Sequence, residues 1–206
     1  MVRKIRNSSR LAMYRDVWAL STSNTGYPGA FPGGFVKRIK HQGWWGSDRL
    51  WMFSGTFKDK EGTTIDIKPE VRPDVVADCE QLPFADHSFD FVCLDPPYSK
   101  LEARELYDLD YCNIPQVVNE AARVCKPGGL VLMLHRLIPW SGPWENVHKK
   151  RLVPIAVVGV YTIAGYTNIR CLSVWRKTET LHDFEIGDLE IASCDPEISR
   201  EGVMFG

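Results

Sequence analysis

Short apolar runs that stop at an aspartate constrain this chain more than any other feature. TTIDI (63–67), VVAD (75–78) and FDFVCLD (89–95) each end in or beside an acid, and RLWMF (49–53) precedes them. Runs of this length, separated by turn signals and amphipathic stretches, read as strands of β/α units around a mostly parallel sheet. In such doubly wound sheets ligands lie beyond the carboxyl ends of the strands, so the polar residues ending these runs converge on one edge. IPQVVNEAARVC (114–125) has apolar residues at helical spacing and is predicted to stop at KPGG (126–129), with LVLMLH (130–135) as a fifth buried strand. VPIAVVGVYTI (153–163) and IRCLSVWRK (169–177) flank the turn-rich AGYTN and predict an antiparallel hairpin. Upstream, RLAMYRDVWAL is expected to be a helix and STSNTGYPGA a connector. Residues 1–30 are then an N-terminal appendage, 31–177 the domain proper and 178–206 a peripheral tail.

At 206 residues and 44% hydrophobic content, the chain can bury one sizeable core. It has no apolar stretch of about 18 residues, and MVRKIRNSSR lacks the apolar centre of a signal peptide, so a cytoplasmic protein without a membrane partner is expected. Six cysteines (79, 93, 112, 125, 171, 194) form no C-x-x-C and the five histidines no H-x-x-x-H; free thiols and no metal site are the expectation. The net charge of −1 hides an asymmetry. After Lys177, eight acids face Arg200, a net of −7, which leaves +6 on residues 1–177. A body of that sign is compatible with nucleic acid and equally with an ordinary solvated surface. Monomer and homodimer both stay open.

Four strand ends carry the candidate chemistry. FSGT (Phe53, Ser54, Gly55, Thr56) is a small turn in which Gly55 lets backbone approach a ligand. Asp66, followed by Ile67 and Lys68, is an acid where a ribose diol is accepted; Asp78, followed by Cys79, is placed to accept from an adenine amine. Neither G-x-G-x-x-G nor G-x-x-x-x-G-K occurs, which takes support from dinucleotide and P-loop readings. The fourth end is Asp95-Pro96-Pro97-Tyr98, a rigid group that breaks a buried strand.

With DPPY in that position, residues 53–98 resemble the S-adenosylmethionine-dependent amino-methyltransferases of nucleic acids, the adenine-N6 and cytosine-N4 enzymes marked by D/N/S-P-P-Y/F/W. YPGAFPGGFVKRI (27–39) is similar to the FP-x-x-L helix start that precedes their first strand. The resemblance covers roughly residues 27–177. It implies the class I, Rossmann-like methyltransferase fold, S-adenosylmethionine as cofactor, and direct methyl transfer to an exocyclic base amine, adenine N6 in DNA before cytosine N4, with RNA possible as partner. On this reading Asp95 and the Pro96 carbonyl accept the two amine N–H bonds, so that the nitrogen lone pair points at the methyl group. Tyr98 stacks on an extruded base. Asp66, Asp78 and residues 53–56 hold the cofactor, with Phe31 and Pro32 closing over it. Similar D/N-P-P motifs serve guanine N2 in RNA and glutamine amides in protein, and a catalytically silent binding subunit could keep the fold. Methylation at ring carbon 5 needs a Pro-Cys nucleophile, and no such dipeptide is present.

The chain departs from the pattern twice. FSGT lacks the second glycine of the family's F-x-G-x-G, and only residues 56–65 lie between Gly55 and Asp66. A parallel crossover usually needs about 10–12 residues with its helix, so that helix is expected to be one turn or missing, and FKDKEG (57–62) is expected to do part of the missing glycine's work in seating the cofactor. Second, no segment is long enough for a separate target-recognition domain. Recognition is expected in loops 99–114 and 136–152, the latter holding Trp140, Trp144 and Lys149-Lys150-Arg151. Trp44 and Trp45 are expected to pack, and the acidic tail to be solvated.

Overall fold

A computed structural model describes residues 13–23, 27, 31–136, 152–162 and 169–179. Its centre is one eight-stranded sheet. In chain order the strands are β1 (Tyr14–Leu20), β2 (Arg49–Met52), β3 (Thr63–Asp66), β4 (Val75–Val76), β5 (Phe89–Leu94), β6 (Cys125–His135), β7 (Leu152–Thr162) and β8 (Arg170–Lys177). They lie in the order β1-β7-β8-β6-β5-β2-β3-β4. From β4 to β6 every pairing is parallel, whereas β8 runs antiparallel to both β6 and β7. The five expected strands and the hairpin all form, and the hairpin is inserted so that its second strand lies inside the sheet.

The first segment corrects the sequence reading. YRDVWAL is strand β1, paired in parallel with β7 from Tyr14↔Ala156 to Leu20↔Thr162, so the sheet begins well before residue 31. Its side chains alternate towards its end: Trp18 and Leu20 are buried, while Val17, just before them, is 64% exposed. Asp16 accepts from the Tyr14 hydroxyl (2.8 Å) and the Trp18 indole (2.9 Å), the i±2 neighbours that a strand puts on one face.

KPGG is also not a turn before β6. Helix α3 (Ile114–Val124) ends at Val124, and β6 already begins at Cys125, with a register irregularity against β5 between Phe89 and Phe91. Gly129 stands where a Cβ would come within 2.8 Å of the Asp90 carbonyl and of Cys125 Sγ, so the bulged strand needs a glycine there.

Each sheet face has its own core. On one, α3 buries Val117, Val118 and Ala121 against Leu50, Val92 and Val131. On the other, α1 (Phe35–His41) buries Phe35 and Ile39 with Trp18, Trp51 and Phe91. The crossover from β2 to β3 has no helix, as expected. Its place is taken by side chains: Phe57 packs on Trp51 (4.6 Å between centroids), and Asp59 accepts from Arg49 Nε (2.6 Å), Arg49 Nη2 (3.1 Å) and Trp51 Nε1 (2.9 Å). Arg49 and Asp59 are only 4% and 12% exposed. FKDKEG is therefore a structural brace, and none of its residues lines the cavity beyond these strands. Trp44 and Trp45 pack as expected, Trp44 against Tyr14 and Trp18, Trp45 against Trp51 and Phe91. Among the described residues no helix is long and apolar enough to cross a membrane.

Candidate active site

Beyond the carboxyl ends of β2, β3, β4 and β5 lies a cavity of about 320 Å³, within the usual range for small-molecule sites. β2 leads into it through a strained corner, because Phe53 has φ +55°, a conformation rare for an aromatic residue. The following turn is fixed by Ser54 N donating to the Ile65 carbonyl (3.1 Å) and Phe57 N to that of Ser54 (2.9 Å). Asp66 ties two strand ends together. Its Oδ2 accepts from Gly55 N (2.9 Å) and its Oδ1 from Lys68 N (3.0 Å), which turns the carboxylate along the cavity wall. Asp78 holds its own loop as an Asx turn, Oδ1 accepting from Glu80 N at 2.8 Å.

The rest of that loop is pinned from α3. Arg123 donates to the carbonyls of Leu82 (3.1 Å) and Phe84 (2.7 Å) and pairs with Glu120 and Asp86, while Glu80 Oε1 accepts from Asn113 N at 2.7 Å.

Asp95 ends β5 at the other side of the cavity. Burial pushes its carboxyl up to about 6, against the opposing pull of Arg170 and of the Tyr98 hydroxyl bonded to it; Glu102 adds to the rise. Tyr98 Oη donates to Asp95 Oδ1 at 2.5 Å and accepts from Arg170 Nη1 at 3.0 Å. Ser99 caps α2 (Lys100–Tyr107), and Glu102 in its first turn accepts from Tyr98 N (2.8 Å) and from Arg136 (3.2 Å). His135, at the end of β6, supports the loop from behind. It is hydrogen-bonded to the Pro97 backbone, which offers only a carbonyl, and burial holds its pKa down to about 4, so the ring is neutral.

Of the residues singled out from sequence, Phe53, Gly55, Asp66, Ile67, Lys68, Asp78, Cys79, Asp95 and Pro97 line this one cavity. The others do not. Phe31 is buried in the core on the α1 face, 5.4 Å from Phe35 and 5.2 Å from Trp51, and Pro32 is buried beside it with its carbonyl accepting from Phe35 N. They brace the helix start and do not close over the cavity. Pro96 is buried. Tyr98 does not offer an open face, since Arg136 lies over its ring at 5.4 Å and His135 meets it edge-on at 5.5 Å. Ser54 and Thr56 stand beside the cavity, and their hydroxyl oxygens are buried without a hydrogen-bond partner among the described residues.

The sequence reading missed part of the wall. Tyr107, Leu109, Asp110, Tyr111 and Cys112 lie within the segment read as target recognition and instead close one side of the cavity, and Tyr27 meets Tyr107 at 6.3 Å across it. The aromatic content of YDLDYC at the end of an amphipathic helix was the available signal. Of the other expected recognition loop, residues 137–151, with Trp140, Trp144 and the basic triplet, lie outside the described residues, as does the tail from 180.

Comparison with known proteins agrees with this geometry. Residues 56–133 match the family model described as a methyltransferase domain. A methyltransferase-like protein from Bacillus halodurans shares the fold at 13% identity, with a TM-score of 0.51 over 71% of this chain and 100% of that one. Also similar are a SAM-dependent methyltransferase from Methanosarcina mazei (15% identity, TM-score 0.49, 68% and 97% covered) and the N-methyltransferase NodS from Bradyrhizobium japonicum in complex with S-adenosyl-L-homocysteine (14%, 0.49, 70% and 84%). No curated protein sequence matches the chain. The sheet is that of the class I, Rossmann-like methyltransferases, and the matched segment is similar to a methyltransferase domain, whose cofactor would be S-adenosylmethionine. The residues present fit that group: carboxylates at the ends of β3 and β4, a glycine turn at the end of β2, and two buried hydroxyls beside it with unused hydrogen-bonding capacity.

Proposed function

We propose that this domain methylates an exocyclic amine of a nucleic-acid base, adenine N6 in DNA first among them. The observation that carries the reading is Asp95-Pro96-Pro97-Tyr98 at the end of β5, whose Asp95 and Pro97 line the same cavity as Asp66 and Asp78. Asp66 is suited to a ribose diol and Asp78 to an adenine amine. The bound cofactor supplies an electrophilic methyl group. An amine conjugated to a base ring is a poor nucleophile, and the task of the protein is to hold it with its lone pair aimed at that methyl group.

Asp95 suits this task in its ionised form, in which both oxygens only accept. Oδ1 takes the Tyr98 hydroxyl, and Oδ2 has no hydrogen bond among the described residues, which leaves it for an amine N–H. For the Pro96 carbonyl to be the second acceptor it must turn to the cavity, which Pro96 does not line. Its neighbour, the Pro97 carbonyl, is taken by His135, and a proline at each of these positions keeps the backbone out of strand pairing. Burial around Asp95 excludes water from the bonds that hold the amine. For a base to stack on Tyr98, the Arg136 guanidinium must leave the ring face.

The test is incubation with methyl-labelled S-adenosylmethionine and, separately, unmethylated duplex DNA, single-stranded DNA and ribosomal RNA, followed by mass spectrometry of the nucleosides. N6-methyladenine or N4-methylcytosine that disappears with Asp95→Ala is the expected result. Label in N2-methylguanine, or in a protein glutamine alone, moves the acceptor. Cofactor binding with no transfer to any acceptor assigns the chain to the silent subunits, a reading that the missing crossover helix favours.

A further inference from the structure

The carboxylate that holds the amine is itself held by a residue far from the motif. Arg170 opens β8, paired with Val160 on β7, and reaches across the end of β6 to the Tyr98 hydroxyl at 3.0 Å. A guanidinium has donors and no acceptor, so it takes a lone pair of the phenol oxygen and leaves the single O–H to point elsewhere. That O–H reaches Asp95 Oδ1 at 2.5 Å. The direction of the chain, Arg170 to Tyr98 to Asp95, is fixed by the donor-only chemistry at its start, and it makes Asp95 an acceptor.

We propose that Arg170 is a positioning residue for methyl transfer: acting through the Tyr98 hydroxyl, it anchors one oxygen of Asp95 and keeps the carboxyl in the accepting form, so that the other oxygen meets the target amine. This rests on the amine-methyltransferase reading above. Three observations support it. The main chain of Tyr98 is held independently by Glu102, so the hydroxyl is not needed to place the loop. Stacking on a base needs only the ring, so the hydroxyl has another use. Arg170 also offsets the burial of Asp95, a cation against an acid otherwise faced by Cys93 on its own strand and by Glu102 and Tyr107 of α2. On the β6 side the neighbours of Tyr98 are neutral His135 and Arg136, and Arg136 is paired with Glu102.

The experiment follows the Asp95 carboxyl by ¹³C NMR across pH in the wild type, Arg170→Met, Arg170→Lys and Tyr98→Phe, with kcat and KM for S-adenosylmethionine measured alongside. Removing the cation or the hydroxyl raises the Asp95 midpoint by about one unit or more, and a one-unit rise from about 6 lowers the ionised fraction at pH 6 roughly fivefold. kcat at that pH falls by the same factor or more, and KM for the cofactor stays within about twofold. Arg170→Lys, which keeps the charge and loses the planar fork, recovers part of both. A midpoint unmoved in both Arg170→Met and Tyr98→Phe overturns the proposal, as does a loss of activity that appears only in KM. If Arg170→Met does not fold, Tyr98→Phe decides alone. A failure of the amine reading looks different: Asp95→Ala would still transfer methyl groups while the carboxyl midpoint shifted as described.

Discussion

Replacing Asp95 with Asn should make the protein more stable and less active at once. The carboxyl ordinarily titrates at 3.8 and is pushed to about 6 in the fold because burial disfavours its charge more than Arg170 and Tyr98 favour it. A shift of about two units is worth roughly 3 kcal/mol between the protonated and ionised forms. Asn is close to an isostere of the protonated acid, and its carbonyl still accepts the Tyr98 hydroxyl, so the gain at pH 7 to 8 should be about 1–3 kcal/mol. For a chain of this size that is a rise in Tm of about 2–12 °C.

The pH dependence has a definite sign. A raised carboxylate pKa means that the unfolded chain releases the proton first. Wild-type stability is therefore fully present below about 4, is lost as pH rises from about 4 to 6, and is flat above, as far as this group is concerned. The advantage of Asp95→Asn should be absent near pH 4, grow to about pH 6 and then hold constant. Methyl transfer should fall throughout, because in this chain the Tyr98 hydroxyl holds the amide oxygen and the amide nitrogen turns a donor towards the amine N–H. Thermal unfolding followed by circular dichroism across pH, at constant ionic strength, measures this directly. A variant no more stable than the wild type at pH 8, or a gain independent of pH, would refute the idea that the carboxylate is held against its burial cost.

Other substitutions probe the remaining parts. Asp59→Ala leaves Arg49 buried without its main partner and should cost about 3–5 kcal/mol in urea unfolding, far more than a surface ion pair would. Ser54→Ala removes a buried hydroxyl that has no partner among the described residues; it should leave stability unchanged or raise it by up to about 1 kcal/mol, while calorimetry shows weaker cofactor binding if that hydroxyl serves the ligand. Gly129→Ala forces a Cβ against the Asp90 carbonyl and Cys125 Sγ, and should lower stability by about 1–3 kcal/mol. Wild-type activity should fall as pH drops through about 6, following the Asp95 carboxyl.

How far the sequence could be read depended on whether a residue's role was local. The acids at the ends of β3, β4 and β5 were legible because a strand end fixes its own position relative to the sheet edge, and three in succession define that edge. The absent crossover helix was legible for the same reason, as ten residues cannot make both a helix and a strand entry. β1 was not, because RLAMYRDVWAL satisfies a helical stripe as well as an alternating one, and only the edge of β7 decides between them. Phe31 and Pro32 were assigned to the cofactor by resemblance. In this chain the missing crossover helix leaves a face of β2 to be covered, and Phe31 with Phe57 covers it against Trp51.

Arg170 lies 72 residues from Tyr98 in sequence and in no motif. Its place follows from the hairpin: β8 enters the sheet between β6 and β7 and runs antiparallel to β6, so the start of β8, not its end, lies at the edge where β5 ends. In an all-parallel sheet the same strand would bring its carboxyl end there, and Lys177, which caps α3 by donating to the carbonyls of Ala122 and Cys125, would occupy the active-site side instead. Reversing one strand thus delivers a cation to Asp95 from one end of β8 and closes a helix with the other. That is why a residue with no local signature can govern the carboxylate of the motif.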